Sequence, residues 1–314
     1  MSASNAISSS RKAPAPAAAA RRRNGASSSS TDRRISLDGP SVHLDPRLHA
    51  WRNDIADIAL AGWLFAPHYA APLIRACGLI ATAVLNEPAD GAEAVSELLP
   101  GEGFAVLDLT AGWAWGYCLA DHRVGYVEAI ELADPLEPSH VVVEAQAPIQ
   151  AAADPLAATL SHLPMGARLH GEVRGASLEF EGGFVPLSYL RPVSENEEDP
   201  VAVAQRLLGA PYRPGGRTCH GIDCSGLVQL ALQLCGVETP RDTKEQRGLG
   251  EALADDAALK RGDLLFCDDH VGMMVDDRMA IQVSWEARKV AVEPFACART
   301  PGSSSGIERR RLTL

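Results

Sequence analysis

Apolar and polar positions alternate in two registers along this chain, and the change of register divides it. From about Ala71 to Pro192 the apolar residues come in short runs at period two, parted by Gly and Asp. Gly103-Phe-Ala-Val-Leu-Asp-Leu, Gly112-Trp-Ala-Trp-Gly-Tyr-Cys and Val124-Gly-Tyr-Val show the pattern. Side chains of a strand alternate faces, so runs of this kind predict small antiparallel barrels. A weaker second copy follows, with a strand over 141–145, a turn at Pro164-Met165-Gly166 and an ending at Gly183-Phe184-Val185-Pro186. Beyond the acidic stretch 194–200, Pro200 to Leu208 is apolar at helical spacing and stops at Gly209. Ahead of the barrels, 44–67 reads as a helical or extended preamble whose Trp51, Ile55, Ile58, Leu60, Trp63 and Phe65 brace a neighbouring domain.

These breaks predict four segments: a basic tail over 1–43, a preamble and first barrel over 44–135, a second barrel over 136–193, and a last domain over 194–314. The length of 314 residues and 46% hydrophobic content suffice for more than one core. The net charge of −11 is uneven, because residues 1–40 hold seven Lys or Arg against two Asp. Their Ser, Ala and Arg runs predict a solvated tail, and neither a nucleic-acid partner nor a membrane is expected. Ala13 to Ala20, interrupted by Pro14 and Pro16, lacks the apolar core of a secretory signal. Seven widely spaced cysteines predict free thiols, and with them a cytoplasmic setting.

The densest chemistry lies in Gly209-Ala-Pro-Tyr-Arg-Pro-Gly-Gly-Arg-Thr-Cys-His-Gly-Ile-Asp-Cys-Ser-Gly-Leu-Val-Gln. A glycine-rich loop here feeds a helix with Cys224 in its first turn. Asp223 or Ser225 can cap that helix, and its unpaired N–H groups are expected to draw the thiol toward thiolate. Cys224 could instead be a small buried hydrophobe, the reading given to Cys118 and Cys235. Metal binding by Cys219, His220 and Cys224 lacks paired-ligand spacing, so neither metal nor cofactor is expected. A thiol nucleophile needs a histidine base and a polar group to orient its ring. His270 is the candidate base, at a strand start after Arg261-Gly-Asp-Leu-Leu-Phe, and is preferred to His220, which sits in the loop. Gln282, twelve residues further on, is either the orienting group or a plain polar strand residue.

Pro211-Tyr-x-x-Gly-Gly, Gly221-Ile-Asp-Cys-Ser-Gly-Leu-Val-Gln, Pro240-Arg-Asp-Thr-x-x-Gln, Gly262-Asp-Leu-Leu-Phe and His270-Val-Gly occur in one order. Residues 199–295 thereby resemble the NlpC/p60 family of papain-like cysteine peptidases, and the two barrels look like bacterial SH3-like domains. The resemblance implies an α+β fold, a papain-like catalytic domain preceded by two SH3-like β-barrels. The arrangement is similar to that of murein-recycling γ-D-glutamyl-L-diamino acid endopeptidases. It implies Cys224, His270 and Gln282 as catalytic, Tyr212 beside the oxyanion, and Asp223 and Ser225 holding the free L-Ala amine of a muropeptide. Three positions depart from the pattern: Pro214 where Trp is common, Gln282 where His is frequent, and Arg123 where a Tyr often precedes Val-Gly-Tyr-Val. Two other readings stay open, an envelope peptidoglycan hydrolase or amidase and a non-catalytic cell-wall binding protein.

Overall fold

The computed structural model describes residues 44–295 and 306–313, so the basic tail and Cys297 lie outside the described residues. The alternating runs of the first segment form a seven-stranded antiparallel sheet in the order Ala94–Leu98, Thr82–Leu85, Val124–Glu128, Trp113–Cys118, Gly103–Thr110, Leu73–Cys77 and Leu132–Ala133. Bulges at Val84/Leu85 and Val106/Asp108 bend it, and the inward side chains Val84, Leu98, Phe104, Val106, Ala114 and Val127 make its core.

The second segment builds a five-stranded sheet from Thr159–Pro164, Gln146–Gln150, Gly183–Pro186, Ser177–Phe180 and Glu172–Arg174. A three-stranded one, Arg168–Leu169, His140–Val142 and Leu190–Pro192, completes it around Val142, Ile149, Leu163, Leu178 and Val185.

The preamble is extended, with Ile55–Asp57 parallel to His68–Ala70. It braces through Ala50 and Ile55, packed on Leu107 and Trp115, and through Arg52, which stacks on Trp115 and pairs with Asp108 at 2.8 Å. Trp63 and Phe65 do not take part as expected, being 62% and 90% exposed. A tight 3-10 turn over Ile58–Leu60, capped by Asp57, buries Leu60 and turns its neighbours outward.

The last segment opens with helix α1, Pro200–Gln205, whose Asp199 cap accepts from the Val201 N–H at 3.0 Å. It is shorter than the apolar spacing predicts, because the chain turns at Arg206 to reach Gly209. Helix α2, Cys224–Leu234, packs with α1 onto a six-stranded antiparallel sheet, while α3, Thr243–Gln246, follows as a single turn. That sheet runs Glu251–Ala252, Glu308–Arg311, Leu264–Cys267, His270–Met274, Met279–Ser284 and Lys289–Pro294.

The boundary near Val193 separates sheets without separating cores. Leu99 of the first segment and Val141, Val143 and Met165 of the second belong to the apolar cluster of α1, α2 and the six-stranded sheet. Gly166 marks the junction. It has φ +84, and a Cβ there would come within 2.8 Å of both Leu230 of α2 and Leu99.

Candidate active site

Asp223 ends the loop and caps α2, accepting the Gly226 N–H at 2.7 Å, so Cys224 is the first helical residue. The strand partner Gly221–Ile222 folds the loop back on Arg217–Thr218, and Tyr212 bridges Ile222, which brings Tyr212 and Gly215 to the same cleft as the thiol. Gly215 has φ +72, and a Cβ on it would meet the Ala94 carbonyl at 2.5 Å, so the loop lies directly on the first sheet.

His270 starts the strand opposite and is 2% exposed. Its Nε2 lies 3.0 Å from Gln282 Oε1, and the Gln282 amide nitrogen donates to Glu293 Oε1 at 2.8 Å. Because the Gln282 nitrogen is taken by a carboxylate, its oxygen faces the imidazole. Nε2 of His270 therefore carries the hydrogen and Nδ1 is left as the basic nitrogen. Phe295 stacks on the ring at 5.7 Å between centroids and Trp285 tilts against it at 5.5 Å. Both Cys224 and His270 line one cleft of about 480 Å³.

The helix start does not draw the thiol toward thiolate as expected. Burial pushes the Cys224 thiol above its ordinary value and the Asp223 charge adds to this; the Val271 and Ser225 backbone and the Thr243 hydroxyl offset only part of it. Burial also holds His270 below its ordinary value, against the Gln282 hydrogen bond and the Glu293 charge. The pair is therefore a neutral thiol and a neutral imidazole near pH 7. Desolvation likewise keeps the Tyr212 hydroxyl above its usual value, so it stays protonated and able to donate.

Asp223 is already engaged. Arg241, 2% exposed, grips its two oxygens at 2.9 and 2.6 Å, the Gly215 N–H donates to it at 2.9 Å, and Ser225 Oγ also contacts Arg241 at 2.9 Å. An ammonium bound at Asp223 shares that carboxylate with a guanidinium. Thr243 reaches the thiol from α3, its Oγ1 4.0 Å from Cys224 Sγ, and the Asp269 carbonyl lies 3.6 Å from the same sulfur.

Residues distant in sequence form the remaining wall. Arg47 of the preamble pairs with Asp242 at 3.0 Å and Glu245 at 2.7 Å, and Arg123, just before the strand Val124–Glu128, pairs with the same Asp242. Ala94 and Val95 come from the first sheet, Glu93 from the connection before it, and Pro214 from the loop. His220 is elsewhere, its Nε2 2.6 Å from the Gln146 amide and outside the cleft. Arg241 and Thr243 stand in the Pro-Arg-Asp-Thr motif, which carried a signal without an assigned role; Arg47 and Arg288 carried none.

Among the described residues no three His, Cys, Asp or Glu side chains are grouped to hold a metal ion, and no helix is long and apolar enough to cross a membrane. Cys77, Cys118, Cys219, Cys224 and Cys235 are free thiols, but Cys267 is disulfide-bonded, which corrects the free-thiol expectation at that position. The separation of cysteines in sequence concealed it, because spacing does not say which thiols meet.

Parts of the chain are similar to known proteins. Residues 209–299 match the NlpC/P60 family, and residues 84–132 match the bacterial dipeptidyl-peptidase Sh3 domain. A probable endopeptidase NlpC homolog of Haemophilus influenzae is 38% identical over 87 residues, 27% of this chain and 47% of that protein. The γ-D-glutamyl-L-lysine dipeptidyl-peptidase of Bacillus subtilis is 36% identical over 110 residues, 34% of this chain and 36% of that protein. This chain thus spans less than half the length of these curated relatives. The crystal structure of an NlpC/P60 family protein from Bacillus cereus shares the fold over 76% of this chain and 99% of its own, with a TM-score of 0.65 at 18% identity. The chain carries an NlpC/P60 domain, preceded by a bacterial SH3 domain of the dipeptidyl-peptidase type.

Proposed function

We propose that this protein is a cysteine endopeptidase that cuts the bond between γ-D-glutamate and a diamino acid in muropeptides with a free N-terminal L-Ala. The observation that carries the reading is the composite cleft: Cys224 and His270 on one floor, with Arg47, Glu93 and Arg123 closing one side from segments outside the NlpC/P60 domain. A wall of that origin shortens the groove, which suits a short peptide better than intact murein. The segment 136–193 serves as a second SH3-like domain that buttresses this wall.

In the proposed mechanism, Nδ1 of His270 takes the Cys224 proton as the sulfur attacks the γ-carbonyl carbon. The Cys224 backbone N–H and the Tyr212 hydroxyl hold the developing oxyanion. His270 returns the proton to the leaving amine, and water hydrolyses the thioester. Gln282 holds the imidazole throughout, while Asp223 and Ser225 meet the L-Ala ammonium with Arg241 behind them. The substrate is a turnover product, and the reaction would recycle it in the cytoplasm.

Mass spectrometry of L-Ala-γ-D-Glu-diaminopimelate incubated with the parent chain or its Cys224→Ala variant tests this. Release of L-Ala-D-Glu by the parent alone, and only when the amine is not acetylated, is the expected result; equal cleavage of the acetylated peptide would remove the free-amine requirement. The disulfide at Cys267 favours a second reading, an envelope hydrolase, since such bonds persist in oxidising compartments. Cell fractionation decides between the two settings.

A further inference from the structure

We propose that Arg288 recognises the free α-carboxylate of the γ-linked glutamyl residue and so distinguishes it from its amide. This rests on the γ-glutamyl reading above.

Several cations of the cleft are already paired. Arg47 and Arg123 are held by Asp242, with Glu245 also on Arg47. Lys244, exposed on the cleft wall, has no ion pair among the described residues, but no aromatic ring orients it. Arg288 has no ion pair among the described residues either, and it is also exposed on the cleft wall.

Its guanidinium carbon lies 4.0 Å from the centroid of the Tyr212 ring. Stacking on an aromatic face fixes the guanidinium plane and leaves its N–H edges turned away from the ring, the arrangement that binds a carboxylate through two parallel hydrogen bonds. Tyr212 is in turn near enough to Cys224 and Asp223 that their charges bear on its hydroxyl. Arg288, Tyr212 and the Cys224 thiol thus line the same cleft. In a γ-linked glutamyl peptide three carbons separate the free carboxylate from the scissile carbonyl, a span short enough for both to lie in this cleft.

The backbone supports the assignment independently. Arg288 has φ 52, a left-handed conformation that a long side chain adopts at a cost. Two hydrogen bonds enforce it: the Arg288 N–H donates to the Ser284 carbonyl at 3.0 Å, and the Tyr212 N–H donates to the Arg288 carbonyl at 2.8 Å. Strain of this kind persists where the surroundings over-determine it, and here it aims the side chain across Tyr212.

Three peptides and two variants test the proposal: L-Ala-γ-D-Glu-diaminopimelate, its analogue amidated at the glutamyl α-carboxyl, and one amidated at the diaminopimelate carboxyl nearest the scissile bond. The parent should prefer the first to the second at least tenfold in kcat/KM, chiefly through KM. Arg288→Gly should abolish that ratio and Arg288→Lys should retain part of it, while the third peptide responds alike in all three proteins. Glycine relieves the left-handed backbone, so a melting temperature equal to or above the parent's is expected and loss of fold does not confuse the result. A ratio unchanged in Arg288→Gly, or one lost only toward the third peptide, overturns the proposal and leaves the γ-glutamyl reading standing. A parent that cleaves acid and glutamyl amide equally does the same. Failure of the parent to cleave any of the three overturns the reading and the proposal together.

Discussion

At the residue scale, the orientation of one imidazole is set by a chain of two hydrogen bonds, His270 to Gln282 and Gln282 to Glu293. Gln282→Ala removes the acceptor that selects the tautomer, and a drop of about 10²-fold in kcat with little change in KM is expected from steady-state kinetics. The opposed shifts of thiol and imidazole make a second prediction. With His270 lowered, its neutral form predominates above an acid limb that lies below pH 6.5. With Cys224 raised, thiolate becomes the major form only above pH 9. The free protein should therefore react slowly with iodoacetamide at pH 7 and speed up only in alkali; rapid alkylation at pH 6 would mean a preformed ion pair. His270 and Gln282 were legible because twelve residues of strand, turn and strand bring them to neighbouring positions. Glu293 was not, since nothing in its own vicinity marks it as the group that orients Gln282.

Helix α2 illustrates at the element scale how a cap can be more than local. Asp223 satisfies the first turn, and the glycine-rich loop before it was readable as a helix start. The same carboxylate neutralises the buried guanidinium of Arg241, eighteen residues on, in a contact that no local pattern announces. Asp223→Ala both uncaps the helix and strands that charge. Breaking a buried pair costs about 3–5 kcal/mol, so urea denaturation should show a loss of that order. Asp223→Ala with Arg241→Met should recover much of it, whereas a double variant as unstable as the single one would show that the cap alone matters. Strands were legible to within a few residues wherever alternation was clean. The extent of α1 was not, because the turn after Gln205 is imposed by the strand it must meet.

On the scale of the whole molecule, the segments share their interior. Arg217, 2% exposed, places its guanidinium on Glu102 at 2.6 and 2.9 Å, and its N–H donates to Glu97 at 2.7 Å. A buried charged joint of this kind, next to the apolar cluster that includes Leu99 and Met165, couples the first sheet to the catalytic segment. Calorimetry should accordingly show one unfolding transition for the described body. Glu102→Ala, leaving Arg217 buried without its partner, should lower stability by about 3–5 kcal/mol, and two separated transitions in the parent would refute the coupling. Segment order was visible in the sequence as changes of period. The joint was not, because an Arg in a glycine-rich loop and a Glu after a turn are ordinary surface residues until the fold brings them together.

The grip of Arg47 and Arg123 on Asp242, one residue before the threonine that touches the thiol, has a consequence for how such a protein can diversify. On the proposed function, chemistry resides at one address in the chain and the choice of what enters at another, so either can drift under selection while the other is held. Exchange of the first sheet between relatives is then a way to make new specificities in a single recombination, provided the incoming segment brings a cation to meet Asp242.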